Sequence, residues 1–273
     1  MTARERLDAA RTAWGGVATG IGSALAGGAL RLSVLVGLVI AWQVTASALD
    51  SVFVPTFTAS ATRLWEAWIA NPEALTTQFA PSIVRLLAGW LIASVVGIGL
   101  GSLIGMSVRL HDYLDPVVQF LRAIPPPALL PLFLVLFGIG DALKVTLIAF
   151  GVVWPILLNT IDGIQSVDPV HRDTARVYRL RRTDAFLRVI LPSAAPNVLA
   201  GLRISLAIAV ILMVISEMVA TTNGIGFMIV QAQRSFRMLD MWAGILLLGI
   251  VGYALNALLT LAESRALRGH QLA

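Results

Sequence analysis

Residues 86–108 read Leu-Leu-Ala-Gly-Trp-Leu-Ile-Ala-Ser-Val-Val-Gly-Ile-Gly-Leu-Gly-Ser-Leu-Ile-Gly-Met-Ser-Val, 23 positions without a charge between Arg85 and Arg109. A hydrocarbon layer about 30 Å thick is crossed by roughly 17 to 25 apolar residues in a helix, because each backbone N–H must find its partner without water. This stretch is therefore a membrane span. The same reading applies outward in both directions: 18 uncharged residues separate Arg31 from Asp50, and 22 separate Asp240 from Glu263. Pro116 to Gly140 is apolar apart from Gln119 and Arg122 but carries Pro125, Pro126, Pro127 and Pro131, which predicts a kinked or broken helix. Lys144 to Ile161 and Asn197 to Ala220 complete six spans, and an even number places both termini on one side of the membrane.

Composition agrees. Of 273 residues 58% are hydrophobic and 13% charged, too little charge to cover an ordinary soluble domain of this length and too apolar for disorder. There is no Cys, which removes disulfides, thiolate nucleophiles and Cys-ligated metal. The three His residues stand far apart, without metal-ligand spacing, and the only lysine, Lys144, follows no glycine loop, so the chain lacks a nucleotide-binding P-loop. Intramembrane hydrolysis would want a nucleophile with its base or a pair of carboxylates, and the only acid well inside an apolar span is Glu217. The expected role is that of a membrane protein without catalysis of its own and without nucleic acid.

Basic loop residues assign the sides. With the N-terminus inside, the inner segments hold 13 arginines (Arg4, Arg6, Arg11, Arg31, Arg109, Arg172, Arg176, Arg179, Arg181, Arg182, Arg188, Arg265 and Arg268), against Arg63, Arg234 and Arg237 outside. Both termini are expected in the cytoplasm. Residues 1–30 read as a cytoplasmic or interfacial lead rather than a secretory signal, because the Gly-rich run is weak in Leu and meets Arg31 before the next span. The first span covers 31–50. The outside loop 51–77 contains Trp65 and Trp68 beside Arg63 and Glu66, a pattern for a short helix at headgroup level. A core of five helices occupies 78–265, with a loop at 166–195, and 266–273 is a cytoplasmic tail.

The loop is chemically patterned. Asp168 before Pro169 suits an N-cap with Pro at the first helical position, and Asp173 early with Arg176, Arg179 and Arg181 late follows the helix dipole. A helix is predicted to about Leu180, then a second one capped by Thr183 or Asp184, running to Val189 or Ile190 and terminated by Pro192.

This loop resembles that of the permease subunits of binding-protein-dependent ABC importers. Their motif, Glu-Ala-Ala, three residues, Gly, nine residues, Ile, one residue, Leu-Pro, falls without a gap on Asp173-Thr174-Ala175, Arg179, Val189 and Leu191-Pro192. Of seven specified positions three are identical, two conservative and two looser. Ser82 to Gly89, Pro125-Pro126, Phe137-Gly138-Ile139-Gly140, Pro155 to Thr160 and Gly201-Leu202-Arg203 extend the resemblance to the sulfonate, taurine and nitrate branch, over most of residues 78–265. It implies an all-α polytopic membrane protein of the ABC transmembrane type-1 fold, in the bacterial inner membrane, with a cytoplasmic coupling helix. It implies as partners two ATPase subunits, which hold ATP and Mg, a second permease copy in a homodimer, and an extracytoplasmic solute-binding protein; this chain would bind no cofactor. The coupling residues carried over are Asp173, Thr174, Ala175, Arg176, Arg179, Leu191 and Pro192. Arg179 departs from the family's Gly, and Arg disfavours the positive φ of a tight turn, so a reshaped turn or an acidic partner groove is expected.

Other residues leave alternatives open. Gly97, Gly101 and Gly105 share one helix face and allow close packing. Arg122 could offer a cation to an anionic solute or snorkel at the boundary, and the Pro126 region could line a bent pore helix. Glu217 should face protein or water, either in a gate with Asn223 or paired with Ser216, Thr221 or Asn223. Lys144 is expected to snorkel outward. An ion-coupled secondary transporter or small channel using Glu217 is the rival function.

Overall fold

The computed structural model describes residues 33–219 and 221–267. The expected lead 1–30 and most of the expected tail 266–273 lie outside them. The described residues form helices joined by short turns, and the chain divides at Thr62 into two compact units.

The first unit holds α1 (Ser33–Leu49) and the following turn. At 17 residues α1 sits at the short limit for a span. Trp42 donates its indole N–H to the Pro55 carbonyl at 3.1 Å and meets Phe57 edge-on at 5.4 Å. The chain thus turns back onto α1 before helix α2 (Phe57–Leu64).

The second unit carries four helices long and apolar enough to cross a membrane: α3 (Pro72–Gly105), α6 (Asp141–Gln165), α8 (Arg182–Val219) and α10 (Met238–Leu267), the last apolar over Met238–Arg265. The pair α4 (Val108–Ala123) and α5 (Pro126–Phe137), bent by 80°, makes a fifth if it counts as one broken span, so the described residues carry four or five such spans where the sequence predicted six. The break falls where the prolines predict it. Ile124, held extended before Pro125, ends α4, and a short 3-10 turn over Pro126–Leu129 restarts the chain. α5 stops at Gly138, whose φ of 68° suits a residue without Cβ.

α6 is the central helix. On one side α3 presents Gly89, Ala93, Gly97, Gly101 and Gly105, four residues apart, to Ile148, Val152, Ile156, Thr160 and Ile164 of α6, which keep the same spacing. A Cβ at Gly101 would lie 2.8 Å from the Leu157 carbonyl oxygen, so only glycine admits this approach. On the other side Gly163 and Gly201 bring α8 equally near: a Cβ at Gly201 would lie 2.9 Å from the Pro155 oxygen. Leu86, Ile148, Val152, Ile156, Ala209 and Met213 form the buried centre of this three-helix core. The glycine face is therefore a packing face. Trp90 of α3 ties to α8 through Ser205 at 2.8 Å, and Arg203 of α8 pairs with Glu263 of α10.

One expectation for the connecting segments changes. Trp68 lies 4% exposed among Leu64, Ile225, Ala243 and Leu247, whereas Trp65 is 60% exposed, so one of the two tryptophans anchors a core cluster rather than an interface. Arg63 pairs with Asp240 at the start of α10, and that hydrogen bond holds its guanidinium further on the charged side. Between α8 and α10 lies α9 (Ile225–Arg234), which packs its buried Ile225 and Ala232 inward.

Candidate functional site

The loop between α6 and α8 forms first as a short helix, α7 (Pro169–Val177). Asp168 caps it, accepting from the Val170 N–H at 2.8 Å with Pro169 at the first helical position, as expected. Its C-terminus closes two bonds, Leu180 N–H to the Ala175 carbonyl at 3.1 Å and Arg179 N–H to that of Arg176 at 2.9 Å. This is a Schellman end with Arg179 at the left-handed position, φ 50°. The turn is not reshaped; Arg179 adopts the conformation a glycine would take, at a cost of about 1 kcal/mol. The turn fixes which way α7 points. Ala175 is buried against the core, while Asp173, Thr174, Arg176 and Arg179 are exposed. Asp173 and Arg176 pair at 2.9 Å, both side chains largely in solvent. Arg172 donates to the Ile164 carbonyl at the end of α6, clamping α7 to that helix. Between them a cavity of about 520 Å³ opens, lined by Ile164, Arg172, Ala175, Leu180, Ala185 and Ile190.

The second loop helix starts at Arg182 with no side-chain cap, so neither Thr183 nor Asp184 caps it. Nor does Pro192 end it. Residues Phe186–Ile190 widen into a π-turn, with the Leu191 N–H reaching back to the Phe186 carbonyl, and the helix continues through Pro192 into α8. A widened turn relieves the clash that the proline ring makes with the preceding turn, so the proline is accommodated rather than terminating. Leu191 lines an apolar groove with Phe186, Leu103 and Met106.

A second polar site lies at the other end of α6 and α8, 25 helical residues from Asp141 to Gln165, which is about 36 Å of α-helix. Arg85 of α3 is 4% exposed and its guanidinium is shared among three partners. It donates to Glu217 Oε1 at 2.9 Å, to Asp141 Oδ1 at 2.7 Å, and to Asn223 Oδ1 at 2.6 Å. Glu217, 1% exposed, also accepts from Ser82 Oγ at 2.7 Å and from the Gly226 N–H at 3.0 Å. Lys144 does not snorkel: it is 3% exposed, donates to Thr221 Oγ1 at 2.7 Å, and stands 3.6 Å from Asp141 Oδ1. Gln78 accepts from the Gly224 N–H at 2.8 Å. Gly224 has φ 122°, and a Cβ there would collide with the Glu217 carboxylate.

Of the residues expected along a pathway, Glu217 and Asn223 are thus brought together through Arg85. Of the three partners offered for Glu217, Ser216 instead bonds the Met213 carbonyl of its own helix, Thr221 bonds Lys144 and the Asn223 carbonyl, and Asn223 meets Glu217 through Arg85. Pro126 lies elsewhere, against Gly151, ten residues along α6 from Asp141, roughly 15 Å away along the axis. Arg122 is exposed near the end of α4. Sequence reasoning missed Arg85, Asp141 and Ser82 as members. The available signal was an arginine inside an apolar stretch on one helix and a carboxylate inside one on another, each needing a partner.

Comparison with known proteins places the chain in a family. The chain is 37% identical over 199 residues to the nitrate import permease protein NrtB of Leptolyngbya laminosa, covering 73% of this chain and 71% of that protein. It is 33% identical over 208 residues to the taurine transport system permease protein TauC of Escherichia coli (strain K12), covering 74% of this chain and 75% of that protein. Among solved structures, an inward-facing form of the MetNI methionine ABC transporter matches with a TM-score of 0.61 at 19% identity, over 70% of this chain and 94% of the matched one, a likeness of fold. Residues 93–267, which include the α7 loop, Glu217 and Asn223, match the family described as binding-protein-dependent transport system inner membrane component, and the chain belongs to that family of ABC importer permeases.

Proposed function

We propose that the chain forms the translocation pathway of an ATP-driven importer for a small anion of the nitrate or sulfonate kind. In this reading two copies pair, two separate ATPase subunits bind ATP and Mg, and an extracytoplasmic binding protein delivers the solute. The N- and C-termini and the α7 loop face the cytoplasm. One observation carries the reading: α7 projects Asp173, Thr174, Arg176 and Arg179 outward while Ala175 and Arg172 fasten it to the end of α6. A short helix held on one side and exposed on the other can receive a push from a partner and pass it on to α6 and α8. Those helices lead to the Arg85 cluster at the far end.

An ion-coupled carrier running on Glu217 would need that carboxylate to exchange with solvent, and three donors enclose it at 1% exposure. This geometry disfavours the rival.

The test is substitution of Asp173, whose exposed side chain pairs with Arg176 of its own helix. Asp173→Arg is expected to leave membrane insertion and folding intact and to abolish solute-stimulated hydrolysis by the assembled importer. Ala175→Arg should do the same and also lift α7. Normal coupling in Asp173→Arg would reject the assignment of α7.

A further inference from the structure

The buried cluster is balanced by a carboxylate that is not itself buried. The side chains of Arg85, Lys144 and Glu217 are 5%, 3% and 0% exposed, whereas Asp141 is 69% exposed. Its single oxygen Oδ1 serves both cations, at 2.7 Å from Arg85 Nε and 3.6 Å from Lys144 Nζ. Glu217 is fixed from three directions, by Arg85, Ser82 and the Gly226 amide. Among the described residues Asp141 is held by the two cations, and it stands at the first residue of α6, beyond Gly138 and Gly140, where the chain has just turned. A group with an open outer face and few partners costs little to move. Two buried cations left with one fixed carboxylate would carry a net positive charge in an apolar surround, which cannot persist without an anion.

We propose that Arg85 and Lys144 form a binding site for a small monovalent oxyanion, whose oxygens take the place of the Asp141 carboxylate. A carboxylate, a nitrate and a sulfonate group all present two oxygens about a common centre, so the donors that hold Asp141 can hold the others. One negative charge restores the balance that Asp141 provides. Asp141 is then an internal stand-in for the solute, occupying the site when it is empty and swinging into solvent when it is filled. The identity of the anion as transported solute rests on the importer reading; the site itself is a property of this chain.

The experiment uses the full purified chain in detergent, titrated with sodium nitrate and with sodium methanesulfonate against gluconate at constant ionic strength, and followed by calorimetry and thermal unfolding. Asp141→Asn removes the competitor and is expected to tighten binding of both anions by about tenfold, the ratio set by one charge-assisted hydrogen bond. Adding Lys144→Met should abolish the gain. Affinity in Asp141→Asn no better than in the native chain, or a gain that survives Lys144→Met, would overturn the site. Should Asp141→Asn unfold in gluconate, refolding on addition of nitrate or methanesulfonate supports the proposal and failure to refold overturns it. Binding as expected with an α7 loop that proves uncoupled from any ATPase would remove the importer reading and leave the site. Coupled hydrolysis without anion binding would do the reverse.

Discussion

A carboxylate buried in an apolar surround is costly unless it is paired and hydrogen-bonded. Glu217 escapes this by accepting from Arg85, Ser82 and the Gly226 amide, and Arg85 in turn by spreading its donors over Glu217, Asp141 and Asn223. Removing one member of a buried pair strands the other. Glu217→Ala is therefore expected to destabilise the chain by about 3–5 kcal/mol, read as a fall in thermal unfolding temperature in detergent. Ser216→Ala, one residue away and bonded only within its helix, should cost no more than about 1 kcal/mol. Equal losses in the two variants would show that Glu217 is not held by the pairs described. The need of Glu217 for a partner was legible in the sequence; which partner was not, because Arg85 lies 132 residues away and only the packing of α3 on α8 brings it there.

At the scale of elements, α7 shows both the reach and the limit of local rules. Asp168-Pro169 specifies its start, because a cap and a proline at the first helical position act within three residues. Its end at Arg179 runs against residue preference: two hydrogen bonds to Ala175 and Arg176 and the burial of Ala175 hold a non-glycine residue at φ 50°. Arg179→Gly should relieve about 1 kcal/mol of backbone strain and slow hydrogen exchange of the 179 and 180 amides about fivefold. Faster exchange would mean that the arginine side chain, not the backbone turn, stabilises this end. Pro192 marks the limit. Locally it signals a stop, but the π-turn before it and the burial of Ala194 and Val198 beyond it carry the helix through.

For the whole molecule, the arrangement places α7 at one end of α6 and α8 and the Arg85 cluster at the other. If α6 crosses the membrane, the two sites lie on opposite faces. The native chain has no Cys, so single thiols report sidedness cleanly. Cysteine at Arg176, which is exposed on α7, should react with an impermeant maleimide only in inside-out vesicles. Cysteine at Phe236, 73% exposed beyond α9, should react only in intact cells. Labelling of position 176 from outside would invert the topology and, with it, the face assigned to the anion site.

Four long apolar helices, the broken helix at Pro125 to Pro127 and the capped start of the α7 loop were determined by the sequence alone, whereas the sixth span it predicted, over 31–50, is a helix of 17 residues. Each depends on hydrophobic run length or on backbone rules that act within one or two turns. What the tertiary structure decided is how these pieces meet. It set the glycine face of α3 against α6, seated Trp68 in a core, and gathered Arg85, Asp141 with Lys144, Glu217 and Asn223 from four separate segments into one charge-balanced cluster. The reason is range: hydrophobic periodicity is written along the chain, whereas a buried charge is stabilised only by partners that folding brings within about 3 Å.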